Sequence, residues 1–215
     1  INKLMKKISL NLKNKNIIIT GGSGFLGRQI NDALNSQNAN VYIIDIKKPK
    51  KKPSAKYFKS DITNENELKK ILKYFKSKKI KIDALINNAA IDYPPDKSNK
   101  NKFRLENFQN NLWDKDISVS LKGSYLCTKV FGSYMSKFKK GSIINISSDL
   151  GIIAPDQRIY KKSNFTKPVT YSVVKHGIIG LTKYTASYWG KKNIRCNAVA
   201  PGGIFNNQDS SFVKN

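Results

Sequence analysis

The stretch that most restricts the fold is NIIITGGSGFLGRQINDALNSQNANVYIID, residues 16–45. NIIIT is a short apolar run of β-branched residues and reads as a buried strand; VYIID, residues 41–45, reads as a second. Between them lie a glycine-rich turn and a segment of helical character, so the whole is a strand–helix–strand unit. Such a unit places its two strands parallel, and a parallel sheet needs cover on both faces.

The rest of the chain continues the alternation. KYFKSDIT, residues 56–63, holds a third strand in its front half, and ENELKKILKYFKSKKI gives an amphipathic helix with Leu68, Ile71, Leu72 and Phe75 on one side. IDALINNAA, residues 82–90, reads as a fourth strand. A polar segment, 92–111, with Pro94 and Pro95 reads as a long loop or broken helix, and a helix follows over 112–137. SIINISS, 142–148, is a fifth strand, a helix covers 171–189, and NIRCNAVAPGG, 193–203, is a sixth strand with its exit turn. The expected fold is α/β: a Rossmann-type, doubly wound parallel sheet in three αβα layers. One domain is expected over 1–215, with binding and catalytic residues together.

Four features point to chemistry. Gly21, Gly24 and Gly27 stand between a strand and a helix, where glycines permit a tight turn and let backbone amides approach a pyrophosphate. A glycine-rich turn without a ligand would share the pattern, but the flanking strand and helix favour a dinucleotide. Asp45 closes the second strand, where a carboxylate accepts hydrogen bonds from adenosine ribose hydroxyls and repels a 2′-phosphate. NAD(H) is therefore expected over NADP(H), although Lys47 and Lys48 add opposite charge nearby. Asp61 is placed at the end of the third strand, either meeting the adenine edge or capping the next helix. Tyr171 and Lys175 are four residues apart and share a helix face.

The net charge of +26 raises the question of nucleic acid or an anionic membrane. Lysines outnumber arginines 36 to 4 and are dispersed along solvated faces, which fits a compositional bias better than a specific interface. Neither specific nucleic-acid binding nor membrane association is expected. Cys127 and Cys196 with a single histidine make a poor metal set, so no metal is expected, and a reduced, cytoplasmic protein is the simplest account. The first 15 residues carry charge without an apolar stretch long enough for secretion.

In order along the chain, TGGSGFLG, NNAA at 87–90, NISS at 145–148, Tyr171-x-x-x-Lys175 and PGG at 201–203 resemble the short-chain dehydrogenase/reductase family, from about Asn16 to Gly203. The run TYSVVKHGIIGLTKYTASYWGKKNIRCNAVAPGG is especially similar to bacterial oxidoreductases that modify flagellin or surface polysaccharides. The resemblance implies a catalytic set of Ser148, Tyr171, Lys175 and, at the position of the family's helix asparagine, Ser120. Tyr171 would be the general acid/base, helped by the charge of Lys175, and Ser148 would hydrogen-bond the substrate oxygen. It further implies cofactor contacts from Gly21, Ser23, Gly24, Phe25, Leu26, Gly27, Asp45, Asp61, Ile62, Asn88, Ala89, Ala90, Pro201, Gly202 and Ile204, together with Tyr171 and Lys175.

The implied reaction interconverts a secondary alcohol and a ketone on a small molecule, possible substrates including a sugar or nucleotide sugar. The competing readings are a noncatalytic dinucleotide-binding protein and an NAD-using sugar epimerase or dehydratase. A homodimer or homotetramer is expected of a complete member.

Several departures stand out. Ser120 offers fewer hydrogen-bonding sites than an amide. Ser148 and Tyr171 are 23 residues apart, and the added PDQRIYKKSNFTKP, residues 155–168, carries Arg158, Lys161, Lys162 and Lys167, suited to an acidic or phosphorylated substrate or to solvent alone. The chain is also expected to lack the family's last strand and helices, because only about a dozen residues follow PGG.

Overall fold

A computed structural model describes residues 11–49, 55–93, 102–158 and 166–206. Lys161 and Lys162 of the insertion lie outside the described residues.

Six strands form one sheet: β1 (Asn16–Thr20), β2 (Asn40–Asp45), β3 (Lys56–Lys59), β4 (Ala84–Asn87), β5 (Gly141–Ile146) and β6 (Ile194–Val199). All five pairings are parallel and the order is β3-β2-β1-β4-β5-β6. The winding direction changes between β1 and β4, and the crevice beyond the carboxyl ends of those two strands is where such sheets take ligands.

The pleat explains how the apolar runs divide. Ile18, Ile44, Leu85 and Ile143 face one side, where they pack with Leu68, Ile71 and Phe75 of α2 (Glu65–Ser77), with Leu126, Val130 and Phe131, and with Trp189. Ile17, Ile19, Val41, Ile43 and Ile86 face the other, against Ile30 and Leu34 of α1 (Phe25–Ser36). Runs such as III in β1 are thus buried on both faces, as parallel strands require.

The helix expected over 112–137 begins slightly earlier and is less regular. This helix, α3, runs as Asn110–Asp116, a wide π turn at Ile117–Lys122, Gly123–Cys127, a second wide turn at Thr128–Gly132, and Ser133–Lys137. Close packing accompanies the irregularity: a Cβ on Gly123 would stand 2.5 Å from the Ile62 side chain, and one on Gly132 would stand 2.4 Å from the Trp189 ring. The last helix, α4, is Val169–Trp189, two residues longer at its start than the periodicity suggested.

Strand ends are trimmed for identifiable reasons. β4 stops at Asn87 because the Asn88 and Ala89 amides both donate to the Thr20 hydroxyl, at 3.1 Å each. β3 stops at Lys59, and the Ser60 amide turns back to the Asp45 carbonyl at 3.1 Å. Asp61 is therefore not a strand end. Nor does it cap α2: that role falls to Asn64, whose side chain accepts from the Asn66 and Glu67 amides.

A buried polar chain crosses the sheet centre. The Asn87 side-chain amide donates to Asn145 Oδ1 at 2.8 Å and to Thr128 Oγ1 at 3.0 Å, and the Asn145 amide donates to Thr182 Oγ1 at 2.8 Å. Asn87 and Asn145 are direct partners in the β4–β5 register. Among the described residues no helix is long and apolar enough to cross a membrane.

Candidate active site

The glycine turn is built for close approach. Gly21 has φ +65°, and a Cβ there would stand 2.8 Å from the Ala89 Cα. A Cβ on Gly27 would stand 2.1 Å from the Gly21 carbonyl oxygen. The Asn88 side-chain amide donates to the carbonyls of Thr20 and Gly21, so the turn is tied to the end of β4. Gly24 caps α1 without a side-chain hydrogen bond, which leaves a positive helix end available to a phosphate group. Phe25 is exposed and Leu26 half-buried in the first turn.

Asp45 stands beside this turn. Its carboxylate accepts from the Ser23 amide and the Lys47 amide, both at 2.9 Å, and the Ser23 hydroxyl donates to the Lys47 carbonyl at 2.7 Å. The carboxylate is thereby fixed at the rim of the cradle. Asp61 is exposed, and its Oδ1 accepts from the Thr63 amide and hydroxyl. Asp61 also borders an open groove of about 670 Å³ lined by Ile46, Tyr57, Phe58 and Ile71. Ile62 turns its side chain into the core, packed on Gly123, so only its backbone can face a ligand.

At the carboxyl end of β5, the chemical residues converge. The Ser148 hydroxyl donates to Asp149 Oδ1 at 2.7 Å and lies beside the Tyr171 phenol, near enough to favour its ionised form. Lys175 Nζ lies 5.5 Å from the Tyr171 ring centroid and donates to the Ile146 carbonyl at 3.0 Å. Ser147 instead fastens α4 to the sheet, its hydroxyl donating to the Lys175 carbonyl at 2.9 Å. The PGG segment closes the same edge, with the Asp149 amide donating to the Pro201 carbonyl at 3.1 Å and Gly202 beside the Asp149 carboxylate. Ile204 follows, partly exposed.

Burial pushes the Tyr171 phenol above its usual value of 10, the Ser148 hydroxyl opposes that rise, and Asp92 and Asp149 add to it. Burial moves Lys175 the other way, from 10.5 down to about 8, with Asp92 opposing and Lys167 reinforcing the drop. At neutral pH the pair therefore rests as a neutral phenol beside an ammonium. The Lys175 shift bears on stability. Above about 10.5 the lysine is neutral in both folded and unfolded chains; as pH falls through about 8 the fold must bury a charge that the unfolded chain hydrates. Lys175→Met is expected to stabilise the fold at neutral pH by an amount on the order of 1–3 kcal/mol. The gain should vanish towards pH 10.5, the ordinary lysine value. Denaturant unfolding across that window checks it.

Ser120 does not touch Lys175 directly. Its hydroxyl accepts from the Ile91 amide at 3.0 Å, and both residues line a cavity of about 10 Å³ with Ala90, Tyr171 and Lys175, room for about one water. Asp116 and Thr170 border the same cavity. The Asp116 carboxylate is buried, accepting from the Tyr93 phenol at 2.9 Å and from the Thr170 hydroxyl. Burial and that hydrogen bond push the Tyr93 phenol up to about 12.

Two contributors carried no signal in the sequence. Thr20 is nearly solvent-free and organises the β4 exit, yet reads only as a strand residue. Asp92 opens a loop in the chain but reaches the Tyr171 neighbourhood. No group of three or more metal-ligating side chains occurs among the described residues.

A sheet in this order, with a glycine-lined turn at its switch point, defines a dinucleotide-binding α/β protein. Residues 15–211 match the short chain dehydrogenase family. The "short chain dehydrogenase/reductase dpfgG" of Gibberella zeae is 35% identical over 208 residues, covering 90% of this chain and 70% of that protein. The structure of a short chain dehydrogenase from Leptospira borgpetersenii with bound NAD+ superposes with a TM-score of 0.85 at 30% identity, covering 95% of this chain and 77% of that one. ElxO with NADP bound gives a TM-score of 0.76 at 29% identity, over 90% of this chain and 75% of that one. The chain belongs to the short-chain dehydrogenase family and is an oxidoreductase of that family. Its neighbours hold NAD in one case and NADP in another, so a nicotinamide dinucleotide is the cofactor class.

Proposed function

We propose that the chain interconverts a secondary alcohol and a ketone with NAD(H), on a sugar or nucleotide sugar, working as one dinucleotide-binding unit whose catalytic residues lie in the same domain. The carrying observation is the convergence of Ser148, Tyr171 and Lys175 at the carboxyl end of β5, beside the strand whose exit is tied to the glycine turn.

Gly21, Gly24 and Gly27 form the cradle, and the α1 end, Ser23 and Asp45 form its rim. These residues fit a dinucleotide: each Cβ that would fill the turn is absent. When bound, the nicotinamide supplies or removes a hydride. The protein manages the proton. In the reducing direction, Ser148 Oγ and Tyr171 Oη hydrogen-bond the substrate oxygen, and Tyr171 Oη gives up its proton as negative charge develops there. Lys175 Nζ stabilises the tyrosinate that remains. Oxidation reverses these proton movements. Ser120 and Ala90 line the small cavity beside the pair, and Asn88, Ala89, Ala90, Pro201, Gly202 and Ile204 would contact the cofactor. Asp92, Lys167 and Gln157, linked by hydrogen bonds beside Tyr171, support a polar, oxygen-rich substrate.

The two buried, unpaired cysteines fit a reducing, cytoplasmic setting. Exposed Tyr125, Tyr184 and Tyr188 offer apolar surface to a second copy, consistent with a homodimer or homotetramer.

Titration with NADH and NADPH, followed by nicotinamide fluorescence, tests the cofactor claim, and a screen of sugar alcohols with NAD+ tests the reaction. Saturable binding that prefers NADH, with Tyr171-dependent NADH production, is expected. Absence of binding to both dinucleotides would sink the proposal. Asp45→Ser should erase at least about tenfold of the NADH preference, roughly the 1.4 kcal/mol of a charge-assisted ribose contact.

A further inference from the structure

Tyr171 has a lysine four residues to either side: Lys167 before it and Lys175 after it, in KPVTYSVVK. The two ammonium groups reach the phenol by different routes. Lys175 lies on α4 with Tyr171, one turn further on. Lys167 precedes Pro168, the cap residue of α4, and belongs to the closing end of the insertion. Its ammonium nevertheless sits 3.8 Å from the Tyr171 ring centroid, nearer than the 5.5 Å of Lys175.

The placement is held from three sides. Lys167 Nζ donates to Asp92 Oδ1 at 3.0 Å. The Lys167 amide donates to Gln157 Oε1 at 3.2 Å, and the Gln157 side-chain amide donates back to the Lys167 carbonyl at 3.4 Å. The Lys167 side chain keeps only 13% of its exposure, against 65% for that of Asp92. A lysine serving only to solvate a loop would not be covered in this way.

We propose that Lys167 is an electrostatic positioning residue for the Tyr171 phenol, latched over the ring by Asp92, so that the insertion contributes a second cation to proton transfer. A cation over an aromatic face is attracted by the ring's electron density. That attraction grows when the phenol ionises, so Lys167 favours the tyrosinate. The charged and titratable groups around Tyr171 among the described residues are Lys175 on α4, Lys167 and Asp92 at the rim, Asp149 beyond β5, and Asp116 of α3 with Tyr93 across the shared cavity; the neutral Ser148 hydroxyl is beside it as well. Asp92 acts on the phenol in the opposite sense to Lys167, since its own charge disfavours the tyrosinate while its hydrogen bond fixes the lysine. The inference rests on the reading of Tyr171 as the acid/base, but its test needs no turnover.

The experiment follows the ionisation of Tyr171 itself. The chain is labelled with 3-fluorotyrosine, whose phenol is more acidic than that of tyrosine, and is titrated by fluorine NMR, the Tyr171 signal being assigned by its loss in Tyr171→Phe. Lys167→Met should raise the Tyr171 midpoint by about one pH unit, the low end of what a neighbouring opposite charge produces. Lys167→Arg should restore most of the shift. Asp92→Asn, which removes negative charge and keeps the lysine, should lower the midpoint. Opposite shifts in the Lys167→Met and Asp92→Asn variants are not expected of a loop anchor. An unchanged or lowered midpoint in Lys167→Met, or equal displacement in both variants, overturns the inference. NADH binding measured on each variant reports that the fold is intact. Failure of turnover alone would count against the catalytic reading and leave the titration result standing.

Discussion

Tyr171→Phe should lower turnover by about 10²–10⁴-fold, the usual contribution of a positioned general acid/base. The ring remains, so its packing on α4 is retained. What is lost is the oxygen that lies beside Ser148 and that Lys175 would stabilise as an anion. Cofactor affinity should fall by less than about tenfold, the equivalent of one hydrogen bond. Steady-state NADH production together with fluorescence titration separates the two effects. Turnover close to that of the unmodified chain would remove Tyr171 from the proton path altogether. The pH dependence should follow the groups described above: with the phenol pushed above its usual value by burial and Lys175 lowered to about 8, oxidation should accelerate as pH rises towards about 8 and gain less above it, where Lys175 loses the charge that stabilises the tyrosinate.

Gly27→Ala should do the largest damage to the fold near the cradle. The added Cβ would stand 2.1 Å from the Gly21 carbonyl oxygen and 2.8 Å from the Gly22 Cα, both backbone atoms that cannot swing aside. Overpacking of this kind costs about 1–3 kcal/mol and moves the turn that would hold the pyrophosphate, so stability and dinucleotide affinity should fall together. Gly180→Ala provides the contrast. Gly180 is exposed on α4 and a Cβ there meets nothing within 4 Å. Alanine should stabilise that helix by up to about 1 kcal/mol. Urea unfolding of both variants gives opposite signs if the turn is packed as described; equal effects would contradict it.

The sheet was largely legible because parallel strands are buried on both faces, so III in β1 and II in β2 register as uninterrupted apolar runs. The glycine turn was legible for a different reason: Gly21 needs its φ of +65°, and Gly27 has no room for a side chain, so both positions exclude other residues. Strand ends were less so. Whether Asn88 continued β4 depended on a hydroxyl 68 positions away in the chain, that of Thr20. Asp61 looked like a strand end or a helix cap, but Ser60 turns the backbone before it and Asn64 three residues later offers the better capping geometry. Ile62 shows the same limit, since its neighbour Gly123 comes from α3 and opens the space that draws the side chain inward. At the chemical end, the Tyr171–Lys175 spacing is local and was readable; the approach of Asp92 and Lys167 depends on how two separate loops meet, and no local pattern encodes that.

The buried amides of Asn87 and Asn145 have a further consequence. Hydrophobic strands of similar composition can slide past one another with little penalty, because isoleucine replaces isoleucine. A slip of one position between β4 and β5 would separate the two amides, break the hydrogen bond they share in a dry interior, and reverse the faces of every residue in the slipped strand. It would also carry Ser148, three residues beyond Asn145, about 3.3 Å along the strand axis and away from Tyr171. A pair of side chains that touches no substrate thus acts as an alignment pin, tying the accuracy of the reacting centre to the accuracy with which two strands find each other during folding.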